Sequence, residues 1–382
     1  MEPEATDLPE CDPNAGSAQR VRTMLGDGAA ETEGRRVVEF HVPIIDISPY
    51  VEGADAAARA AVARQVDEAA STVGFMQIRG HGIARPVLDE FAAALDEFFA
   101  LAPATKESYR TAVEFNRGYS PPKSESLSLS LGVASATRMN DFFEAFNIGT
   151  TTSDYPGLDL PARAGYADNV WPAELPGFRP RVQRYYAEAA RVAGTLTTVF
   201  ADALDLPPGY FESFTDHSLN VLRMNNYALP PGSVDLDGDL KGMGEHTDYG
   251  IVTVLWADQV PGLQVLGADG RWHDVQPADE ALLVNLGDVM ARWTNERWLS
   301  TLHRVMPPIV DGTIERRRSA AFFHDGNFDA VIETLPSCVG AGSKYPPITV
   351  SEHVQAKLAG SRALQPNTNA HREAARVLSA RD

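Results

Sequence analysis

From residue 39 onward the chain alternates short apolar runs with stretches in which apolar residues recur every three or four positions. "HVPIIDIS" predicts a strand, and "ADAAARAAVARQVDEAAS" after it repeats its Ala and Val positions at helical spacing. "GFMQIRGHGI" reads as a second strand ending in a turn. "PVLDEFAAALDEFFAL" predicts an amphipathic helix with proline in its first turn, where a missing backbone N–H costs nothing. The Ser-rich loop "PPKSESLSLSLG" and then "DFFEAFNIG" lead to a long helix spanning residues 179–204.

From residue 218 the period changes. "LNVLRMNNYAL", "IVTVLW", "LQVL", "ALLVNLG" and "RRSAAFFH" are short β-type runs separated by Gly, Pro and Asp turns. Many short strands at close intervals predict a closed or double-sheet β core flanked by helices, an α+β class with a mainly β core. The expected organisation has four parts: a mobile acidic tail over 1–38, a helix-and-strand region over 39–215 packing on the core, the β core over 216–350, and a C-terminal helix over 351–382. The tail is too poor in large apolar residues to offset the entropy of ordering.

Composition narrows function more than fold. A chain of 382 residues, 44% hydrophobic and 22% charged, can bury a sizeable core. Its net charge of −19 argues against nucleic acid, whose phosphates call for clustered Lys and Arg. No run approaches the roughly 18 to 20 apolar residues of a membrane-spanning helix. The opening "MEPEATDLPE" lacks the basic start and apolar core of a secretory signal. Cys11 and Cys338 are too few for a disulfide framework or a cysteine zinc cluster. A small-molecule partner and a cytoplasmic location are the expectations.

Within this pattern "GEHTDYG" places His246 and Asp248 two apart, directly before an apolar run. In extended backbone that spacing turns both side chains to one face. A further 57 positions on stands His303 in "STLHRV", on another predicted strand. Two histidines and one carboxylate match the facial triad of non-haem Fe(II) oxygenases, which leaves open positions for co-substrate and O2. An isolated H-x-D also fits an ordinary turn. "ERRRSAAFF" puts Arg317, Ser319, Ala321 and Phe323 on one face of a strand. A guanidinium beside a hydroxyl suits the carboxylate of a small dicarboxylic acid, and Tyr227 in "RMNNY" is the aromatic hydroxyl that could complete the pocket. Asp235, Asp237 and Asp239 alternate like a calcium loop, but the required Gly does not follow Asp239 and His246 stands at the twelfth position.

These segments, in this order, resemble the isopenicillin N synthase-like family of Fe(II)- and 2-oxoglutarate-dependent oxygenases. The resemblance covers nearly all of the chain after the tail. It is carried by "VPIIDIS", "VGFMQIRGHGI", "RGY" and "DFFEAFNIG" in the first half, and by "LRMNNY", "HTD", "LLVNLGDVMARWTNERWLSTLHRV", "RRS" and "YPPIT" in the second. It implies a distorted double-stranded β-helix, or jelly roll, with His246, Asp248 and His303 as iron ligands. Arg317, Ser319 and Tyr227 would bind 2-oxoglutarate. Oxidation of a C–H bond would yield succinate and CO2 as co-products, with hydroxylation foremost and desaturation, ring closure or epoxidation alternatives. Members like isopenicillin N synthase itself use an R-x-S pair for the substrate's carboxylate without 2-oxoglutarate, and that reading stays open, as does a non-catalytic ligand-binding protein. Family analogy also suggests tailoring of a natural product. Loops around the barrel mouth set specificity in such enzymes, which nominates Tyr119, Phe142, Asn327, Phe328 and Asp329 as substrate contacts.

Overall fold

Alternating strand patterns from both halves of the chain meet in two facing sheets. In this computed structural model the described residues are 40–131 except 123 and 126, 143–228 except 163 and 164, 243–363 except 308, 311 and 312, and residue 367. The expected tail over 1–38, Phe142 and nearly all of the acidic loop before β6 lie outside them.

The strands are β1 (Ile44–Asp46), β2 (Phe75–Arg79), β3 (Gly118–Ser120), β4 (Glu144–Gly149), β5 (Ser218–Tyr227), β6 (Met243–His246), β7 (Val252–Ala257), β8 (Leu263–Leu266), β9 (Trp272–Asp274), β10 (Leu282–Leu286) and β11 (His303–Val305). A small hairpin, β12 (Ile309–Val310) with β13 (Thr313–Ile314), precedes β14 (Arg317–Asn327). The larger sheet has the order β1-β2-β10-β7-β14-β5-β4-β3, and the smaller one β6-β11-β8-β9. Apart from the parallel pair of β1 and β2, all their ladders are antiparallel. The architecture is the expected jelly roll. Its sheet is not confined to residues 216–350, because β1 to β4 extend it at both edges.

The helices are α1 (Ser48–Val51), α2 (Ala56–Thr72), α3 (Arg85–Phe99), α4 (Pro103–Glu107), α5 (Phe178–Ala203), α6 (Asp288–Trp293) and α7 (Val350–Ala363). Asp55 caps α2 by accepting the Ala58 N–H at 2.9 Å. Along α5, Phe178, Val182, Tyr185, Ala189, Val192, Leu196 and Phe200 form one buried stripe at helical spacing. That stripe helps fill the main core between the helices and the outer face of the large sheet, where Phe91 stacks on Tyr185 at 3.9 Å. A smaller core, with Phe75, Ala145, Tyr227, Leu263, Val265 and Val305, fills the space between the sheets. β14 is therefore covered on both faces, which is why its burial does not alternate. No helix among the described residues is long and apolar enough to cross a membrane.

Candidate active site

Strands β6 and β11 pair so that His246 stands directly opposite His303, with ring centroids 4.2 Å apart. Each ring turns its Nδ1 back to its own chain. His246 Nδ1 donates to the Gly244 carbonyl at 2.8 Å, and His303 Nδ1 to the Thr301 carbonyl at 3.1 Å. A carbonyl only accepts, so these bonds fix the tautomer and leave both Nε2 lone pairs pointing away from the backbone. Both face Asp248 Oδ1, at 3.8 and 3.7 Å. The other carboxylate oxygen is already committed: Thr253 Oγ1 and Asn285 Nδ2 each donate to Oδ2 at 2.6 Å. The three potential ligand atoms lie within 4.8 Å of one another, on buried residues. Burial, reinforced by the neighbouring His303, pushes the His246 pKa well down, which keeps the imidazole neutral.

Asp248 reaches this point differently from the strand expectation. β6 ends at His246, so Asp248 sits in the following connection. The Asp288 N–H holds that connection by donating to the Asp248 carbonyl at 2.9 Å. Close approach of two glycines allows it: a Cβ on Gly287 would stand 2.1 Å from the Gly250 carbonyl oxygen.

One cavity opens beside these three residues. Its floor is the β14–β5 ladder, in which Arg317 pairs with Tyr227, Ser319 with Asn225, Ala321 with Arg223 and Phe323 with Val221; all eight line the cavity. Arg317 is only 1% exposed, yet its Nε and Nη1 have no hydrogen-bond partner among the described residues. Its guanidinium stands 5.1 Å from the centre of the Tyr227 ring. A buried cation left unpaired is costly, so this end of the cavity is complementary to an anion. Further along, burial and the nearby Asp248 push the Asp325 carboxyl up to about 8. Phe75, edge-on to His303 at 5.3 Å, and Leu255 supply apolar wall.

Two family descriptions match the chain: "non-haem dioxygenase in morphine synthesis N-terminal" over residues 42–174, and "2OG-Fe(II) oxygenase superfamily" over residues 219–326. The chain belongs to the 2OG-Fe(II) oxygenase superfamily. It is similar to the 2-oxoglutarate-Fe(II) type oxidoreductase hxnY of Emericella nidulans, 37% identical over 82% of this chain and 88% of that one. Validamycin A dioxygenase of Streptomyces hygroscopicus subsp. limoneus is 32% identical over 83% of this chain and 85% of its own. The crystal structure of a full-length Neurospora crassa protein in complex with alpha-KG and thymine superposes with a TM-score of 0.73 at 28% identity, covering 85% of this chain and 98% of that chain. This oxygenase is thus an Fe(II)- and 2-oxoglutarate-dependent enzyme that uses O2 as co-substrate. Membership of this superfamily favours the 2-oxoglutarate-dependent reading over the oxidase and non-catalytic alternatives.

The oxygenase gathers some predicted residues and disperses others. His246, Asp248, His303, Arg317, Ser319 and Tyr227 all line the one cavity. Tyr119, Asn327, Phe328 and Asp329, expected as substrate contacts, are not among the residues that line this cavity. Tyr119 is buried, and its hydroxyl donates to Glu144 Oε2 at 2.7 Å, beside Lys106 Nζ at 2.6 Å on the same oxygen. A bulge after His324 swings the strand end away, so Asn327 donates to Asp216 Oδ1 at 2.6 Å and accepts the His217 N–H at 2.8 Å. Phe328 packs against the main core, and Asp329 is exposed and paired with His217 Nε2 at 2.9 Å. Residues not singled out from sequence include Arg223, Asn225, Glu125, Thr253, Asn285 and Asp325. Period two from Tyr227 would have found Asn225 and Arg223; Glu125 and Asn285 come from distant segments and carry no local signal.

Proposed function

We propose that this oxygenase holds Fe(II) through His246 Nε2, Asp248 Oδ1 and His303 Nε2, and the distal carboxylate of 2-oxoglutarate through Arg317, flanked by Ser319 and Tyr227. Its reaction is oxidation of a C–H bond of a small metabolite, hydroxylation first, in the tailoring of a natural product. The observation that carries this is the buried Arg317 guanidinium, whose Nε and Nη1 have no partner among the described residues, in the same cavity as the three converging ligand atoms. When bound, metal and co-substrate supply the oxidant, with succinate and CO2 as co-products.

The chain's own work is positioning. Thr253 and Asn285 hold Asp248 Oδ2, so Oδ1 alone faces the metal position. The two backbone carbonyls fix the histidine tautomers. Because Asp248 keeps its carboxylate, no ligand place is vacated for halide, which disfavours halogenation. The name of the validamycin A relative supports a tailoring role, and the thymine complex of the Neurospora crassa protein supports a compact substrate. Succinate formation tests the assignment: 2-oxoglutarate turnover is expected in the wild type and lost in Asp248→Ala. Undiminished succinate formation in that variant overturns it.

A further inference from the structure

Asp248 has no strand to hold it. β6 ends at His246, so the ladder to β11 that orients the two histidines stops short of the carboxylate. A ligand carried on a connection keeps its direction only if neighbouring groups fix the backbone around it. Two helices do this.

The first is α6, whose opening N–H groups clasp the connection. Asp288 N–H donates to the Asp248 carbonyl at 2.9 Å, and Val289 N–H to the Tyr249 and Gly250 carbonyls at 3.2 and 3.1 Å. The Asp288 side chain turns into a buried cluster. Its Oδ1 accepts from Ser300 Oγ at 2.7 Å, and its Oδ2 from Thr247 Oγ1 at 3.2 Å.

The second is α7, acting through Lys357. A lysine only 1% exposed is unusual and calls for close partners. Lys357 Nζ stands 2.7 Å from Asp288 Oδ2, donates to Thr247 Oγ1 at 3.4 Å, and lies 5.7 Å from the centre of the Tyr249 ring. One ammonium group therefore touches the residue before Asp248, the residue after it, and the residue whose N–H holds its carbonyl. His353, the other basic side chain at Asp288 Oδ2, is 3.7 Å away, and burial lowers its pKa and keeps it neutral. Docking the helix would not by itself require an ion pair, since apolar side chains of like size fill a buried site at least as well. The same helix places Val354, Leu358 and Ser361 on the cavity wall.

We infer that Lys357 is a positioning residue for the metal site: from the C-terminal helix it fixes the backbone of residues 247–249 and, through it, the direction of the Asp248 carboxylate. This rests on the reading of Asp248 as an iron ligand.

Co(II) titration of the full-length protein, followed by visible absorption, tests it without turnover. The proteins compared are wild type, Asp248→Ala, Lys357→Met, Thr247→Val and Lys106→Met. Lys106 serves as the control, because its Nζ pairs with Glu144 Oε2 at 2.6 Å in an equally buried setting and neither residue lines the cavity. Wild type should give a Co(II) spectrum that is lost or altered in Asp248→Ala. No spectrum in wild type, or no change in Asp248→Ala, fails the ligand assignment and this inference with it. Lys357→Met should bind Co(II) about 10- to 100-fold more weakly and show a changed spectrum at saturation, where a purely structural pair would leave the spectrum of the folded protein alone. Lys106→Met should lose stability yet keep wild-type affinity and spectrum. Thr247→Val keeps the ion pair and removes one hydroxyl, so binding should weaken by about three- to tenfold. Wild-type affinity and spectrum in folded Lys357→Met, or an equal loss in Lys106→Met, overturns the inference while leaving the ligand assignment intact. Should Lys357→Met not fold, Thr247→Val decides in its place, and wild-type Co(II) affinity there overturns it.

Discussion

Lys357 Nζ on α7 lies 2.7 Å from Asp288 Oδ2, with both side chains buried. Asp288 also accepts from Ser300 Oγ at 2.7 Å and from Thr247 Oγ1 at 3.2 Å, and its N–H reaches the Asp248 carbonyl. The C-terminal helix is thereby tied to the turn between two predicted iron ligands, while its Val354 and Leu358 line the cavity. Removing one partner strands a buried charge, so Lys357→Met should cost about 3 to 5 kcal/mol in urea unfolding. A loss below about 1 kcal/mol would mean that the pair is not an electrostatic lock.

Arg317→Met should separate binding from stability. Without 2-oxoglutarate the variant should be as stable as wild type or more so, since a buried guanidinium whose Nε and Nη1 have no partner among the described residues is replaced by an apolar side chain of similar length. Affinity for 2-oxoglutarate should fall by about 30- to 150-fold, the worth of a charge-assisted hydrogen-bond pair at roughly 2 to 3 kcal/mol. Thermal melts with and without 2-oxoglutarate read both effects.

Asn285→Ala and Thr253→Val each remove a donor from Asp248 Oδ2. Fe(II) affinity should drop about 10- to 100-fold in either variant, the usual cost of losing a group that orients a metal ligand. Unchanged iron titrations would show that Oδ2 needs no such support.

Acid stability of the metal-free protein follows from buried histidines. Burial lowers the pKa of His81, His324 and His353, that of His324 from 6.5 to about 4. Below pH 6.5 the unfolded chain binds protons that the folded chain refuses, so stability should fall as pH drops from about 6.5 toward 4. His324→Gln should flatten that slope in denaturant titrations across the window; an unaltered slope would remove His324 from the effect.

Legibility in the sequence followed the range of the interaction. The helices α2, α3 and α5 and most strands were readable because period and turn residues are local. His246, Asp248 and His303 were readable as residue types, although Asp248 converges from a turn and not from a strand face. On β14 the period-two reading holds from Arg317 to Phe323 and on to Asp325. It fails at the bulge after His324, beyond which Asn327 and Asp329, nominated as loop residues at the barrel mouth, close the strand end onto Asp216 and His217. Arg223 with Glu125, and Asp288 with Lys357, are pairs 98 and 69 residues apart. Nothing in a single sequence announces such a pairing before the fold closes it.

An anaerobic visible spectrum of Fe(II)-loaded protein, before and after 2-oxoglutarate, probes the site itself. Wild type should develop a new charge-transfer band that is absent in Asp248→Ala and needs far more 2-oxoglutarate in Arg317→Ala. Wild-type protein that binds iron but shows no band on adding 2-oxoglutarate would contradict the assignment and pass Arg317 from the co-substrate to the substrate.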